Sequence, residues 1–154
     1  MPIEIERKFL LVDESWRSSV QESIEIQQGY LCKDKERTVR VRIWGDVGKI
    51  TVKGMSLNGS RPEYEYTIPK SEAQELIDTL CLKGIVQKIR HLIPHQGFIW
   101  EVDEFLDHNR GLFLAEIELP HIDSPFAIPP WIGTEVTNDH RFQNSYLAQH
   151  RIDS

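Results

Sequence analysis

The N-terminal stretch Pro2-Ile3-Glu4-Ile5-Glu6-Arg7-Lys8-Phe9-Leu10-Leu11-Val12 decides how the rest of the chain is read. In an extended strand, successive side chains point to opposite faces. Glu4, Glu6 and Lys8 then share one face, and Ile3, Ile5 and Phe9 share the other. One such strand is ordinary, because a sheet with one wet face alternates in this way. The same charged alternation, however, returns in strand after strand.

Working outward, residues 23–31 alternate as a strand, and so do residues 38–44, with Arg40 and Arg42 opposite Val39, Val41 and Ile43. Gly45-Asp46-Val47-Gly48 predicts a turn into a returning strand at 49–53 that carries Lys53. Asn58-Gly59 is a strong turn signal, followed by a strand at 61–68 with Arg61, Glu63 and Glu65 on one face. Strands at 85–94, 98–105 and 112–119 carry Lys88 and Arg90, Glu101 and Asp103, and Glu116 and Glu118. The prolines from Pro125 to Pro130 are expected to end regular sheet.

Helical signals are few. Asp13 predicts a capped turn at 16–20. Ser71 with Gln74 reads as a capping box for a helix that shows Ala73, Leu76, Ile77 and Leu80 at helical spacing. That helix is expected to reach about Leu82 and stop at Gly84. Asn138 or Asp139 is expected to cap a final helix at 141–150, with Phe142, Tyr146 and Leu147 on its buried side.

The bulk properties narrow the function. A length of 154 residues suits one domain over residues 1–154. A net charge of −6 argues against nucleic-acid binding through bulk positive charge, yet leaves room for a local basic pocket. Cys32 and Cys81 make neither a metal spacing nor a disulfide framework, which points to a reducing compartment. No apolar run is long enough to span a bilayer, and the charged N-terminus is no signal peptide. A cytoplasmic protein with no membrane partner is the expectation.

The charges that share a face are Glu4, Glu6, Glu63, Glu65, Glu101, Asp103, Glu116 and Glu118 among the acids, and Lys8, Arg40, Arg42, Lys53, Arg61, Lys88 and Arg90 among the bases. Two arrangements accommodate them. An open sheet would leave them in solvent, with helices covering the apolar face. A closed sheet would turn them inward, and about eight or nine strands suffice to close. A lumen of ions is tolerated only when they are paired or bound to a metal or ligand, so it would be a site rather than a core. Clustered carboxylates suit Mg²⁺ or Mn²⁺, and arginines and lysines suit phosphate oxygens. No glycine-rich phosphate loop is present. His91, His95, His108, His121, His140 and His150 show no paired metal spacing, and Trp16, Trp44, Trp100 and Trp131 read as packing residues. Tyr30 agrees in face with a lumen position, although a strand tyrosine is also common in a core.

At this point the chain resembles the CYTH superfamily, the triphosphate tunnel metalloenzymes. The resemblance starts from Glu4-Ile5-Glu6-Arg7-Lys8 and continues in order through Gln28-Gly29-Tyr30-Leu31, Arg40-Val41-Arg42, Thr51-Val52-Lys53, Arg61-Pro62-Glu63-Tyr64-Glu65, Lys88-Ile89-Arg90, Glu101-Val102-Asp103 and Glu116-Ile117-Glu118 to the closing residues 130–137. It departs at His91-Leu92, where relatives often place an aromatic.

The resemblance implies an α+β fold, a closed antiparallel β-barrel of about eight strands with a charged lumen and helices packed outside. The short length is similar to bacterial inorganic triphosphatases that split tripolyphosphate into pyrophosphate and phosphate with Mg²⁺ or Mn²⁺. By that resemblance, Glu4, Glu6, Glu116 and Glu118 would hold metal, with Asp103 near a second ion. Glu63 and Glu65 would bind water on the metal or orient bases. Lys8, Arg40, Arg42, Lys53, Lys88 and Arg90 would grip phosphates, and Lys8 and Tyr30 would lie near the attacking water as the catalytic pair. Acids and bases act oppositely on the Lys8 pKa, so its role as a base stays open. A homodimer is also implied. Competing readings are an adenylate cyclase, a thiamine or nucleoside triphosphatase on the same fold, and a polyphosphate-binding module without turnover.

Overall fold

The computed structural model describes residues 2–152. Its sheet is built from β1 (Ile3–Leu11), β2 (Glu22–Lys33), β3 (Arg37–Trp44), β4 (Val47–Gly54), β5 (Ser60–Ile68), β6 (Val86–His95), β7 (Phe98–Phe105), β8 (Phe113–Glu118) and β9 (Ile132–Glu135). Two short α-helices accompany it, α1 (Lys70–Thr79) and α2 (Asn144–Leu147). All strand pairs are antiparallel, in the order β5-β4-β3-β2-β6-β7-β8-β1-β9.

β1 also pairs with β5, through Ile3 opposite Pro62 and Ile5 opposite Ser60, and this contact closes eight strands into a barrel. The Asn58-Gly59 turn makes the closure possible. Both residues take positive φ, 53° and 84°, and the Gly59 carbonyl accepts from the Glu6 amide at 3.0 Å. A Cβ on Gly59 would stand 2.5 Å from the Glu6 carbonyl oxygen, so glycine is required by space as well as by conformation.

The ninth strand departs from the sequence expectation. Regular sheet does not end at the prolines, because β9 pairs with the end of β1, beyond a register shift between Phe9 and Leu11. The final helix also differs. It is a 3-10 turn (His140–Phe142), an extended Gln143 and the single turn of α2. The break leaves the Phe142 carbonyl free to accept from Lys8 Nζ at 2.9 Å. Asp139 does cap, accepting from the Arg141 amide. Ser71 does not: α1 starts one residue earlier, after Pro69, and ends at Thr79 rather than Leu82. The chain leaves the helix there because the Leu82 amide bonds the Tyr30 carbonyl of β2 at 2.8 Å.

The outer wall holds two apolar layers. Phe9, Trp100, Val102, Ala115 and Ile117 lie under Trp16, from the 3-10 turn Ser15–Ser19, and under Trp131. Val41 and Ile43 lie under Ala73 and Ile77 of α1. A third layer sits at one end of the bore. Tyr30, Val86, Phe105 and Leu114 share the strand faces that carry the charges, and Phe142 and Leu147 of the C-terminal segment pack on them. The C-terminal segment therefore plugs that end. Among the described residues, no helix is long and apolar enough to cross a membrane.

Candidate active site in the barrel bore

Strand parity places the ionic residues inside. Lys8 is opposite Glu116, and Glu6 opposite Glu118, across β1 and β8. Arg90 is opposite Asp103 across β6 and β7, and Tyr30 opposite Arg40 across β2 and β3. The bore above the plug is a cavity of about 240 Å³. Eleven of the residues singled out from sequence line it: Glu4, Glu6, Tyr30, Arg40, Arg42, Lys53, Glu63, Glu65, Arg90, Glu116 and Glu118.

Three others stand back from that wall. Lys8 opens on a small adjoining recess with Glu6 and Arg61. Lys88 and Asp103 lie deeper, 1 % and 0 % exposed. Asp103 takes Arg90 Nε at 2.8 Å, Arg90 Nη2 at 2.9 Å and Lys88 Nζ at 2.8 Å, while Asn144 of α2 takes Lys88 Nζ at 2.8 Å. Burial works to raise the Asp103 carboxyl, but Arg90 and Lys88 overcome it and hold it below the usual carboxylate range. Burial pulls Lys88 down to about 8 against the attraction of Asp103.

The remaining charges divide between two walls. The strand order sets β8 across the barrel from β3. On the β3 side, burial and the neighbouring Arg40 and Arg90 guanidiniums push Arg42 down to about 9. The Nε groups of Arg40 and Arg42 are buried and have no hydrogen-bond partner among the described residues. On the β1 and β8 side, burial and then repulsion from Glu116 and Glu4 raise the Glu6 carboxyl. Burial, Glu4 and Glu6 likewise raise Glu118. Glu101, beside Arg90 at 3.3 Å, is pushed up to about 7, chiefly by burial. Burial works to raise Glu116 on the β8 wall, but Lys8 and Arg90 hold it well below the usual carboxylate range. The unmet charge is therefore local: Arg42 on one wall lacks anions, and Glu6 and Glu118 on the other lack cations.

Other pairs are closed on themselves. Lys53 holds both oxygens of Glu4 at 2.9 and 3.1 Å, and Glu63 stands 3.4 Å from the same ammonium. Glu65 accepts from Thr51 and Lys49 and lies 3.5 Å from Arg42. Among the described residues, no three carboxylate, imidazole or thiol groups already converge as a finished cation cage.

The two residues expected near the attacking water are both held protonated. For Lys8, burial favours the neutral amine, but Glu116 at 3.3 Å and Glu6 outweigh it and raise the pKa. The acids win the contest that the sequence left open. Burial raises Tyr30, whose hydroxyl accepts from Gln28 at 3.2 Å.

Sequence reasoning missed five contributors. Gln143, Asn144 and Ser145 line the bore from the C-terminal segment, which no strand periodicity could announce. Glu101 was grouped with the charges but given no role. Trp44 lines the bore beside Arg42 and Arg90 rather than packing in the outer wall, and its position two residues after Arg42 on one strand was the available signal.

Comparison with known proteins agrees with this geometry. A family model described as the CYTH domain matches residues 2–147. An inorganic triphosphatase of Acetivibrio thermocellus is 47 % identical over 146 residues, covering 95 % of this chain and 93 % of that one. An inorganic triphosphatase of Nitrosomonas europaea is 34 % identical over 151 residues, covering 94 % and 96 %. A crystal structure of an inorganic triphosphatase superposes with a TM-score of 0.65 at 32 % identity, covering 97 % of each chain.

Proposed function

The chain belongs to the CYTH domain family, and from that membership we propose that it hydrolyses inorganic tripolyphosphate to pyrophosphate and phosphate, with Mg²⁺ or Mn²⁺ as cofactor. One observation carries the reading: charge of both signs is left under-satisfied on facing walls of one enclosed bore. Seven carboxylates and six bases line it. The bases are therefore already matched in number and do not neutralise a polyanion alone, so cations must enter with the substrate.

The donor set fits a hard divalent cation, because the crowded carboxylates supply oxygen ligands and their raised proton affinity marks a place where positive charge is favourable. Glu4, Glu6, Glu116 and Glu118 are assigned to hold it. When bound, the cation polarises phosphate oxygens as a Lewis acid. Glu63 and Glu65 orient Lys53 and Arg42 from the rim. Asp103 is assigned to positioning, because its oxygens are taken up by Arg90 and Lys88.

Phosphate oxygens take the cationic groups of Arg40, Arg42, Lys53 and Arg90. As Lys53 turns to phosphate, it releases Glu4. Lys8 and Tyr30 donate hydrogen bonds to a phosphate oxygen or to the attacking water, and neither takes its proton. Burial lowers the proton affinity of Lys53 in the bore and of Lys88 behind it. The water oxygen bonds to a terminal phosphorus as the anhydride P–O bond breaks. Pyrophosphate leaves with the electron pair, and the proton passes to a phosphate oxygen or to solvent. Such a reaction asks mainly for positioning and charge stabilisation.

The test is a ³¹P NMR panel with tripolyphosphate, ATP and thiamine triphosphate in the presence of Mg²⁺ or Mn²⁺. Pyrophosphate and phosphate in equal amounts from tripolyphosphate, at the highest rate of the three, is the expected result. Cyclic AMP from ATP would replace the reading with a cyclase. Binding without product would replace it with a polyphosphate-binding module.

A further inference from the structure

We propose that Trp44 is a positioning residue of the bore, whose indole face holds the Arg42 and Arg90 guanidiniums together in readiness for a phosphate chain. The inference rests on the phosphate-binding reading of the same cavity. Trp44 ends β3 and follows Arg40 and Arg42 on the inward face. The guanidinium carbon of Arg42 lies 4.8 Å from the ring centroid, and that of Arg90 lies 5.4 Å from it.

These two cations belong to different strands and repel each other. Arg90 is anchored by its fork on Asp103. Arg42 has no such anchor: its Nε is buried without a partner, and its nearest carboxylate, Glu65, is 3.5 Å away and shared with Lys49 and Thr51. The electron-rich indole face supplies what is missing. It attracts both cations while forming no salt bridge that a phosphate would have to break. A carboxylate at this position would hold the arginines more firmly but would repel the substrate.

Among the described residues, the other three tryptophans lie against no cation of the bore. Trp16, Trp100 and Trp131 are buried in the outer apolar layer. Trp44 is therefore the tryptophan whose emission should report on the bore.

The test compares wild type with Trp44→Leu, which keeps apolar bulk, and Trp44→Phe, which keeps a π face. Affinity for pyrophosphate without metal, read by calorimetry, probes the arginine pair independently of turnover. Trp44→Leu is expected to weaken pyrophosphate binding and to raise KM for tripolyphosphate, each about tenfold, with kcat less affected and the melting temperature near wild type. Trp44→Phe is expected to restore most of both. Pyrophosphate is expected to change wild-type tryptophan emission, and the change is expected to vanish in Trp44→Phe. Equal binding by the leucine and phenylalanine variants, or an emission change that survives in Trp44→Phe, would overturn the proposal. A wild type that binds pyrophosphate but leaves tripolyphosphate intact would defeat the hydrolase reading alone. A wild type that binds neither would defeat both.

Discussion

Arg90 grips Asp103 with a two-pronged fork, Nε to Oδ1 at 2.8 Å and Nη2 to Oδ2 at 2.9 Å, in a place where Asp103 is fully buried. Lys88 completes the cluster from two residues earlier on β6. An ion cluster this deep contributes little net stability compared with apolar packing, but removing one partner strands the others.

Asp103→Ala is accordingly expected to cost about 3–5 kcal/mol of folding stability, because two buried cations lose their counter-ion. Urea denaturation without metal measures it. A loss under about 1 kcal/mol would mean that water reaches the cluster and screens it.

Glu6 carries the opposite expectation. Burial and repulsion from Glu116 and Glu4 raise its carboxyl, so its ionised form strains the metal-free fold. Glu6→Gln should melt at or above the wild-type temperature without metal, and should lose both the stabilisation by Mn²⁺ and turnover, the latter by about 100-fold or more. Differential scanning calorimetry with and without Mn²⁺ checks the first part. An unchanged Mn²⁺ shift in the variant would remove Glu6 from the cation site.

Glu101 gives a pH signature. Its ordinary value is 4.5, and burial raises it to about 7 in the fold. Between those values the folded chain keeps a proton that the unfolded chain has lost. Stability from this group therefore falls as pH rises through that window, with the full penalty above it. Glu101→Gln is expected to flatten the slope and to be the more stable protein at about pH 8, with little difference near about pH 4.5. Urea midpoints of the metal-free proteins across that range measure it.

Much of the barrel was legible because its strands obey a strict period of two. Glu4, Glu6 and Lys8, Arg40 and Arg42, and Glu116 and Glu118 could be assigned to one face from spacing alone, and Asn58-Gly59 announced the turn that closes β5 onto β1. Spacing could not say that the face turns inward, since an open wet sheet alternates in the same way. The ordered motifs and the β1–β5 pairing settle that point. What escaped lacks a period. β9 has four residues, too few to display alternation after a run of prolines. The helix expected at 141–150 breaks at an extended Gln143, and the Phe142 carbonyl and Asn144 side chain there are taken up by Lys8 and Lys88, partners distant in sequence. Trp44 was read as packing because its partners, Arg42 and Arg90, meet only in the folded bore.

The most direct measurement is the initial rate of pyrophosphate formation from tripolyphosphate, with divalent cation first removed by a chelator and then restored. The charged bore predicts a rate at background without metal, full recovery on adding Mg²⁺ or Mn²⁺, and one pyrophosphate for each phosphate. Turnover that persists with chelator present, or no product with metal restored, would contradict it.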